Sequence, residues 1–253
     1  MRFLLSLALC AFSTAAPTVN TVKESAESLV ASITPVNLSH DDVILYGVNG
    51  EYKVIKEQEF NNLTSSGVLT YGNDDDTLAA RDLDSALLEA RQNCPGLNQE
   101  FVVDKETDFL DWDVQMSPAI GAIQAPVTIA ITRGYQVANS LTIGGSATGS
   151  YKWLSVALKA DYDWTWTTID TNMITYTVPQ GNYGVVISQP WTHRKTGRIF
   201  TSCTTDNWQT SPYQADTHTS QQFGQFNWVK GVFRLCASPK YPVPFCSGNG
   251  EHR

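Results

Sequence analysis

Between residues 126 and 168 the chain twice alternates apolar and polar positions. Val127, Ile129, Ile131, Tyr135, Val137, Leu141 and Ile143 fall on one side of a period-two pattern, with Thr128, Ala130, Thr132, Gln136, Ala138, Ser140 and Thr142 on the other. The next run sets Leu154, Val156, Leu158, Ala160, Tyr162, Trp164 and Trp166 against Ser155, Ala157, Lys159, Asp161, Asp163, Thr165 and Thr167. Successive side chains of a strand point to opposite faces, so both runs read as half-buried β-structure. The Gly/Ser-rich segment 144–150 between them supplies residues that tolerate positive φ in a hairpin turn. The pattern therefore predicts one antiparallel hairpin with arms of about 16 residues, far beyond the usual strand of about 5–6.

Shorter alternating runs continue the theme. Residues 101–103, 109–116, 173–178, 185–187, 199–203 and 227–236 read as strands. The 185–187 strand is expected to end at Gln189-Pro190-Trp191, and Arg194-Lys195-Thr196-Gly197-Arg198 reads as a basic turn. Residues 204–225 form a Thr/Ser/Gln-rich stretch, long for a loop in a compact domain. Residues 237–253 are a Pro/Gly tail held by Cys246. Toward the N-terminus, residues 43–46 and 52–55 flank a Gly-Val-Asn-Gly turn, and amphipathic helices are expected over 22–33 and 78–91. The fold class is mainly β: an elongated antiparallel β-sandwich with long strands, plus a small acidic α+β N-terminal region.

Composition adds a division of the chain. Residues 1–15 have the positive start, apolar centre and small-residue end of a signal peptide, so a secreted, extracellular protein is expected. Residues 16–92 form an acidic region or a pro-segment released near Arg91, and residues 93–253 a disulfide-containing β-domain. Residues 17–91 hold 13 acidic and 5 basic side chains, which carries essentially all of the net charge of −8. That balance excludes nucleic acid as a natural partner. Four cysteines follow the signal: Cys94, Cys203, Cys236 and Cys246. An even number in an oxidising compartment implies two disulfides. Their spacing matches no zinc motif, and Cys203–Cys236 with Cys94–Cys246 is the preferred pairing. Asn37 and Asn62 head glycosylation sequons, which places both on exposed loops. The acidic run 73–76 lacks the spaced oxygens of a calcium loop. No metal and no cofactor are expected.

Candidate chemistry is sparse. There is no nucleophile elbow, zinc-protease helix, phosphate loop or dinucleotide fingerprint, and nothing orients any of His40, His193, His218 and His252 as a base. Asp111 and Asp113 share a strand face, about 6.6–6.8 Å apart along the backbone. That spacing is tolerable for a glycoside hydrolase pair, although carboxylates alternating with Trp112 fit a solvent-facing strand better. Among the aromatics, Tyr162, Trp164 and Trp166 read as core. Trp153, Trp191 and Trp208 lie beside turns and read as exposed, which suits stacking on sugars. Arg194 and Lys195 head a cationic cluster that would meet a phosphate or an anionic headgroup. Trp153, Trp191, Arg194 and Lys195 are therefore the candidate binding residues.

Phe109–Ser117 (FLDWDVQMS), Arg133-Gly134-Tyr135, Trp228-Val229-Lys230-Gly231 and the ending PVPFCSGNGEH (residues 242–252) resemble secreted, effector-like proteins of filamentous fungi. The resemblance runs from about residue 41 to the C-terminus, and residues 111–117 are its most specific part. It implies export and action on a host protein, glycan or membrane surface without enzymatic activity, and it supplies no catalytic residues. The two long arms also resemble, in pattern only, the hairpins of aerolysin-type toxins, in which lipid-facing and lumen-facing residues alternate. The expected function is a secreted, non-enzymatic effector-like or toxin-like binder. An aerolysin-like pore former and a glycan-binding or glycan-hydrolysing β-domain using Asp111 and Asp113 are the alternatives. Oligomeric state is not legible.

Overall fold

The structure, a computed structural model, describes residues 36–46, 52–72, 98–144, 146–147, 152–202, 208–223 and 226–253. The expected signal, the helices over 22–33 and 78–91, the acidic run 73–76, Cys94 and Cys203 lie outside the described residues. The chain opens with β1 (Val36–Leu38), the hairpin of β2 (Asp42–Tyr46) and β3 (Tyr52–Lys56), and helix α1 (Glu57–Ser65). There follow β4 (Asn98–Leu110), β5 (Val114–Gln115), β6 (Ile120–Gly121), β7 (Val127–Ile131), β8 (Gln136–Ala138), β9 (Ser140–Ile143) and β10 (Ser146–Ala147). Helix α2 (Lys152–Leu158) precedes β11 (Thr165–Thr167), β12 (Thr171–Val178) and β13 (Tyr183–Ser202). The chain closes with β14 (Gln209–Thr217), β15 (Ser220–Phe223), β16 (Phe226–Val229), β17 (Gly231–Ser238), β18 (Val243–Pro244) and β19 (Glu251–His252).

The fold is mainly β, as its alternation predicts, with a ten-stranded sheet and a three-stranded sheet ordered β1-β12-β7. The core lies between these layers. Ile131 and Tyr176 of the small sheet pack with Val186, Trp228, Phe233 and Leu235. The Tyr176 hydroxyl donates to the Phe233 carbonyl at 2.9 Å, which satisfies a buried phenol with a backbone group of the opposing layer. The hairpin β2–β3 forms as expected and adds to β17, with Ile44 opposite Phe233. Phe60 of α1 is fully buried among Val43, Ile55, Leu110 and Val232, so residues 36–65 share the apolar packing of the later chain.

The predicted long hairpin is replaced by several short elements. Its first arm divides into β7, β8 and β9, which pair with β12, β11 and β14 respectively. Gly134, at φ +105°, turns the chain between the first two pieces. Its second arm begins as helix α2. Leu154 and Leu158 are buried there, whereas Val156 is 78% exposed. A four-residue separation fits both a strand face and one helical turn, so only Val156 distinguishes the two periods. Among the described residues the arms pair as strands only where Thr165–Thr167 meets Gln136–Ala138.

The long strand lies elsewhere. β13 runs 20 residues, through the expected break at Pro190 and the expected basic turn. Its first half pairs with β17, β5 and β6, and its second half with β4 and β14. Proline has no N–H to give a ladder, and it sits where β13 changes partners: Pro190 lies opposite Gly231, and the Trp191 N–H donates to the Lys230 carbonyl. A Cβ at Gly231 would lie 2.2 Å from the Gln189 carbonyl oxygen, so glycine is required for this approach. The polar stretch 204–225 contains β14 and β15 rather than a loop, and the expected strand 227–236 is divided at Lys230 into β16 and β17.

The charges of β13 that suggested a turn are matched across the sheet. His193 Nδ1 lies 2.9 Å from Asp108, Lys195 Nζ 3.4 Å from Glu106, and Arg198 grips Asp104 through two hydrogen bonds of 2.8 and 2.9 Å. The Arg198 hydrogen bonds hold the Asp104 carboxyl below its usual range. A register shift of β4 at Thr196/Gly197 accompanies this spacing, since the basic side chains fall at 193, 195 and 198 against acids at 104, 106 and 108.

Candidate binding cleft

A polar cleft of about 470 Å³ opens where β13 and β14 meet the segment that follows α2. Asn139, Asp161, Tyr162, His193, Lys195 and His218 line it. β13 supplies His193 and Lys195 at strand spacing, and the β8–β9 junction supplies Asn139. Helix α2 ends at Lys159, a non-glycine residue held in left-handed backbone at φ 57°. That conformation costs about 1–2 kcal/mol, and it redirects the chain so that Lys159, Asp161 and Tyr162 all reach the cleft wall.

Asn139 stitches the site together. Its Nδ2 donates to the Asp161 carbonyl at 2.7 Å and its Oδ1 accepts from the His218 backbone N–H at 2.8 Å. These two backbone partners fix the orientation of the amide. Oδ1 also lies 3.3 Å from His218 Nδ1, so the imidazole proton belongs on Nδ1. His218 Nε2 then accepts from the Thr192 hydroxyl at 3.1 Å. The hydroxyl has one proton; the longer contact, 3.4 Å to Asp111 Oδ2, competes for it less well. Burial pulls the His218 pKa down to about 4, opposed by the nearby Asp216 charge. Burial also raises the Asp111 carboxyl above its usual value. Burial likewise raises Tyr162 to about 12, so its phenol is a hydrogen-bond donor at every physiological pH.

A hydroxyl, an imidazole and an orienting amide are the parts of an activated nucleophile. Thr192 is fully buried, however, and a nucleophile must reach a substrate carbon. The chain Asn139–His218–Thr192–Asp111 is therefore a part-buried polar network at the cleft floor. Sequence reading passed over His218 because Asn139 lies 79 residues away. Only the joining of the β8–β9 junction to the end of β14 brings them together.

The sequence-predicted site residues are dispersed. Arg194 is buried, donates to Asp216 at 2.7 and 2.8 Å and stacks 4.7 Å over the Phe109 ring, so it offers nothing to solvent. Lys195 alone of the four candidates lines the polar cleft. Trp191 is half-buried and lines a separate apolar cavity of about 230 Å³ with Leu45, Leu110 and Val232. Trp153 is half-buried on α2, 6.2 Å from the Phe101 ring. Trp164, expected in the core, is 49% exposed, whereas Trp166 is buried beside His218. Trp208 is exposed, as expected.

Asp111 and Asp113 do not form a pair on one face. The chain leaves strand geometry at residues 111–113, so Trp112 is 52% exposed and Asp113 is buried, the reverse of the expected alternation. Asp111 faces Thr192, while Asp113 is enclosed by Gln189, Cys246 and His252. The described disulfide joins Cys236 to Cys246 across a Cα separation of 5.6 Å, which corrects the preferred pairing of each with a more distant cysteine. Ten residues separate the two in sequence, and the Pro-rich tail folds back as β18 and β19. Both sequon asparagines are exposed, Asn37 on the outer strand β1 and Asn62 on α1, rather than in loops.

His218 makes stability depend on pH with a definite sign. Its folded pKa lies near 4, below the unfolded value of about 6.5. The unfolded chain binds the proton more readily, so the penalty is absent above about pH 6.5 and grows as pH falls toward 4. Allowing for partial exposure, the loss is about 2–3 kcal/mol. Asp111 acts in the opposite sense, because its raised pKa makes proton uptake favour the native state. Urea melts from pH 7 to 4 are expected to lose stability in the wild type, with a slope that His218→Gln flattens. An unchanged slope in the variant would remove His218 from the account.

Comparison with known proteins found no matching family model, no matching curated protein and no matching solved structure.

Proposed function

We propose that this is an exported, non-enzymatic binding protein and that the polar cleft holds its ligand, a carbohydrate of a host or surface. The observation that carries this reading is the cleft itself. Its volume of about 470 Å³ falls within the usual span of ligand sites, about 300–1,000 Å³. Its wall combines planar polar groups, Asn139, Asp161, His193 and His218, with the ring of Tyr162. Planar amide, carboxylate and imidazole groups suit the paired hydroxyls of a sugar, and an aromatic ring suits its C–H face. The protonated Tyr162 supplies direction without charge. Export rests on the N-terminal pattern and an effector-like role on the motif resemblance. The pore-forming alternative draws less support, since among the described residues α2 takes the start of the second arm of the expected hairpin.

A glycan array probed with the full exported chain tests the reading. One class of glycan is expected to bind, and Tyr162→Phe and His193→Ala are expected to weaken it at least tenfold while circular dichroism shows the fold kept. Absence of binding across the array, or binding that both variants retain, refutes the assignment.

A further inference from the structure

The wall of the polar cleft carries more basic groups than a neutral sugar needs. Lys159, Lys195 and His193 line it, with Asp161 as the one carboxylate among the lining residues. Asp161 is partly engaged by the backbone, since its Oδ1 accepts the Asp163 N–H at 3.0 Å. Two of the basic groups have acidic partners on β4. Lys195 lies 3.4 Å from Glu106, and His193 lies 2.9 Å from Asp108 and 3.6 Å from Glu106. Lys159 differs. It is exposed and lines the cleft, and among the described residues no carboxylate pairs with its ammonium group.

The backbone at this position does not call for lysine. Helix α2 ends in two hydrogen bonds, from the Lys159 N–H to the Val156 carbonyl at 3.2 Å and from the Ala160 N–H to the Ser155 carbonyl at 3.0 Å. Together they make a Schellman helix end, whose left-handed residue is usually glycine. Here that residue is Lys159, at φ 57°. A cation at a helix C-terminus gains less than left-handed backbone costs a residue that carries a Cβ. Stability therefore favours glycine, and what lysine adds is an ammonium group at the cleft. Backbone strain of this kind is tolerated where a side chain must be held ready for a ligand. The two hydrogen bonds also occupy end carbonyls of the helix, whose free dipoles would oppose an anion.

Building on the carbohydrate reading of the same cleft, we infer that its ligand is an acidic carbohydrate and that Lys159 binds the anionic group, a carboxylate or a sulfate. Asn139, His218 and Tyr162 meet hydroxyls and the C–H face, as for any sugar. Lys159 adds the charge-assisted hydrogen bond that selects a charged sugar over a neutral one. The net charge of −8 gives such a ligand no long-range attraction, so selection falls to this local contact.

Calorimetric titration of the full chain with oligouronides, sulfated oligosaccharides and neutral oligosaccharides of equal length tests the assignment. One acidic set is expected to bind, and which set it is identifies the anion. Reducing the uronide carboxylates to alcohols, or removing the sulfates, is expected to weaken binding at least tenfold, and the wild-type affinity is expected to fall as salt rises. Lys159→Gly and Lys159→Met are each expected to lose at least tenfold in affinity for the acidic ligand, and Lys159→Arg to restore most of it. Lys159→Gly is also expected to raise the melting temperature, because glycine adopts this backbone freely. Equal binding of neutral and acidic sugars, or full affinity in Lys159→Met, overturns the acidic ligand and leaves the carbohydrate reading standing. Binding of no sugar overturns both. A lower melting temperature in Lys159→Gly would show that lysine serves the helix, and would overturn the role given to Lys159.

Discussion

Replacing Arg194 with alanine is expected to lower the unfolding free energy by about 3–5 kcal/mol. Arg194 and Asp216 stand directly opposite each other on β13 and β14, with side-chain exposures of 4% and 11%. Truncation would leave the Asp216 carboxylate deep in the sheet without its two charge-assisted hydrogen bonds. Among the described residues the Gln214 amide, two positions earlier on β14, would still donate to it at 3.0 Å. The guanidinium would also vanish from above the Phe109 ring, removing apolar packing along with charge. The penalty comes from stranding one partner rather than from the worth of the pair. The double replacement Arg194→Met with Asp216→Leu should therefore recover most of the loss. Denaturant melts of the two single variants and the double variant give the coupling directly. A double variant no more stable than Arg194→Ala would contradict this account.

Trp228→Ala is expected to cost about 3–5 kcal/mol as well, by a different route. Trp228 is 1% exposed and stacks on Phe226 at 6.1 Å, in the layer between the two sheets. Its indole N–H donates to Ser188 Oγ at 3.0 Å, so the ring is anchored to β13 as well as packed. Alanine opens a cavity that rigid β-strands on both sides cannot collapse into, and it also leaves the buried Ser188 hydroxyl without its indole partner. Phenylalanine keeps most of the volume but gives up the hydrogen bond. Trp228→Phe should therefore lose clearly less than Trp228→Ala. Thermal and urea melts of both variants separate filling from hydrogen bonding. Equal losses would show that the Ser188 contact, not ring volume, dominates.

How far the sequence could be read is clearest along residues 127–143. Ile129, Ile131, Val137, Leu141 and Ile143 are all buried, as the alternation requires. The same alternation says nothing about which strand lies alongside, and the run in fact contributes to three sheets. Residues 152–158 show the limit of a short pattern, since Leu154 and Leu158 satisfy two periods at once. The basic segment of β13 shows another limit. Read alone, His193, Arg194, Lys195 and Arg198 look solvated; Asp104, Glu106, Asp108 and Asp216 are what make that stretch a strand interior. The cleft is legible only as a list of residues. Lys195 was singled out from its charge, but Asn139, His218 and Tyr162 carry no local signature that joins them.

The sequence by itself determined the mainly β character, the β2–β3 hairpin and the inward faces of its strands, because a period of two is a local property of the backbone. Tertiary structure decided which strands pair, that β13 would pass through a proline and four basic residues, and that Asn139 would meet His218 and Asp113 would meet His252. Those outcomes depend on partners 20 to 140 residues away, and the free energy of burying a charge or aligning a polar group depends on the partner that arrives.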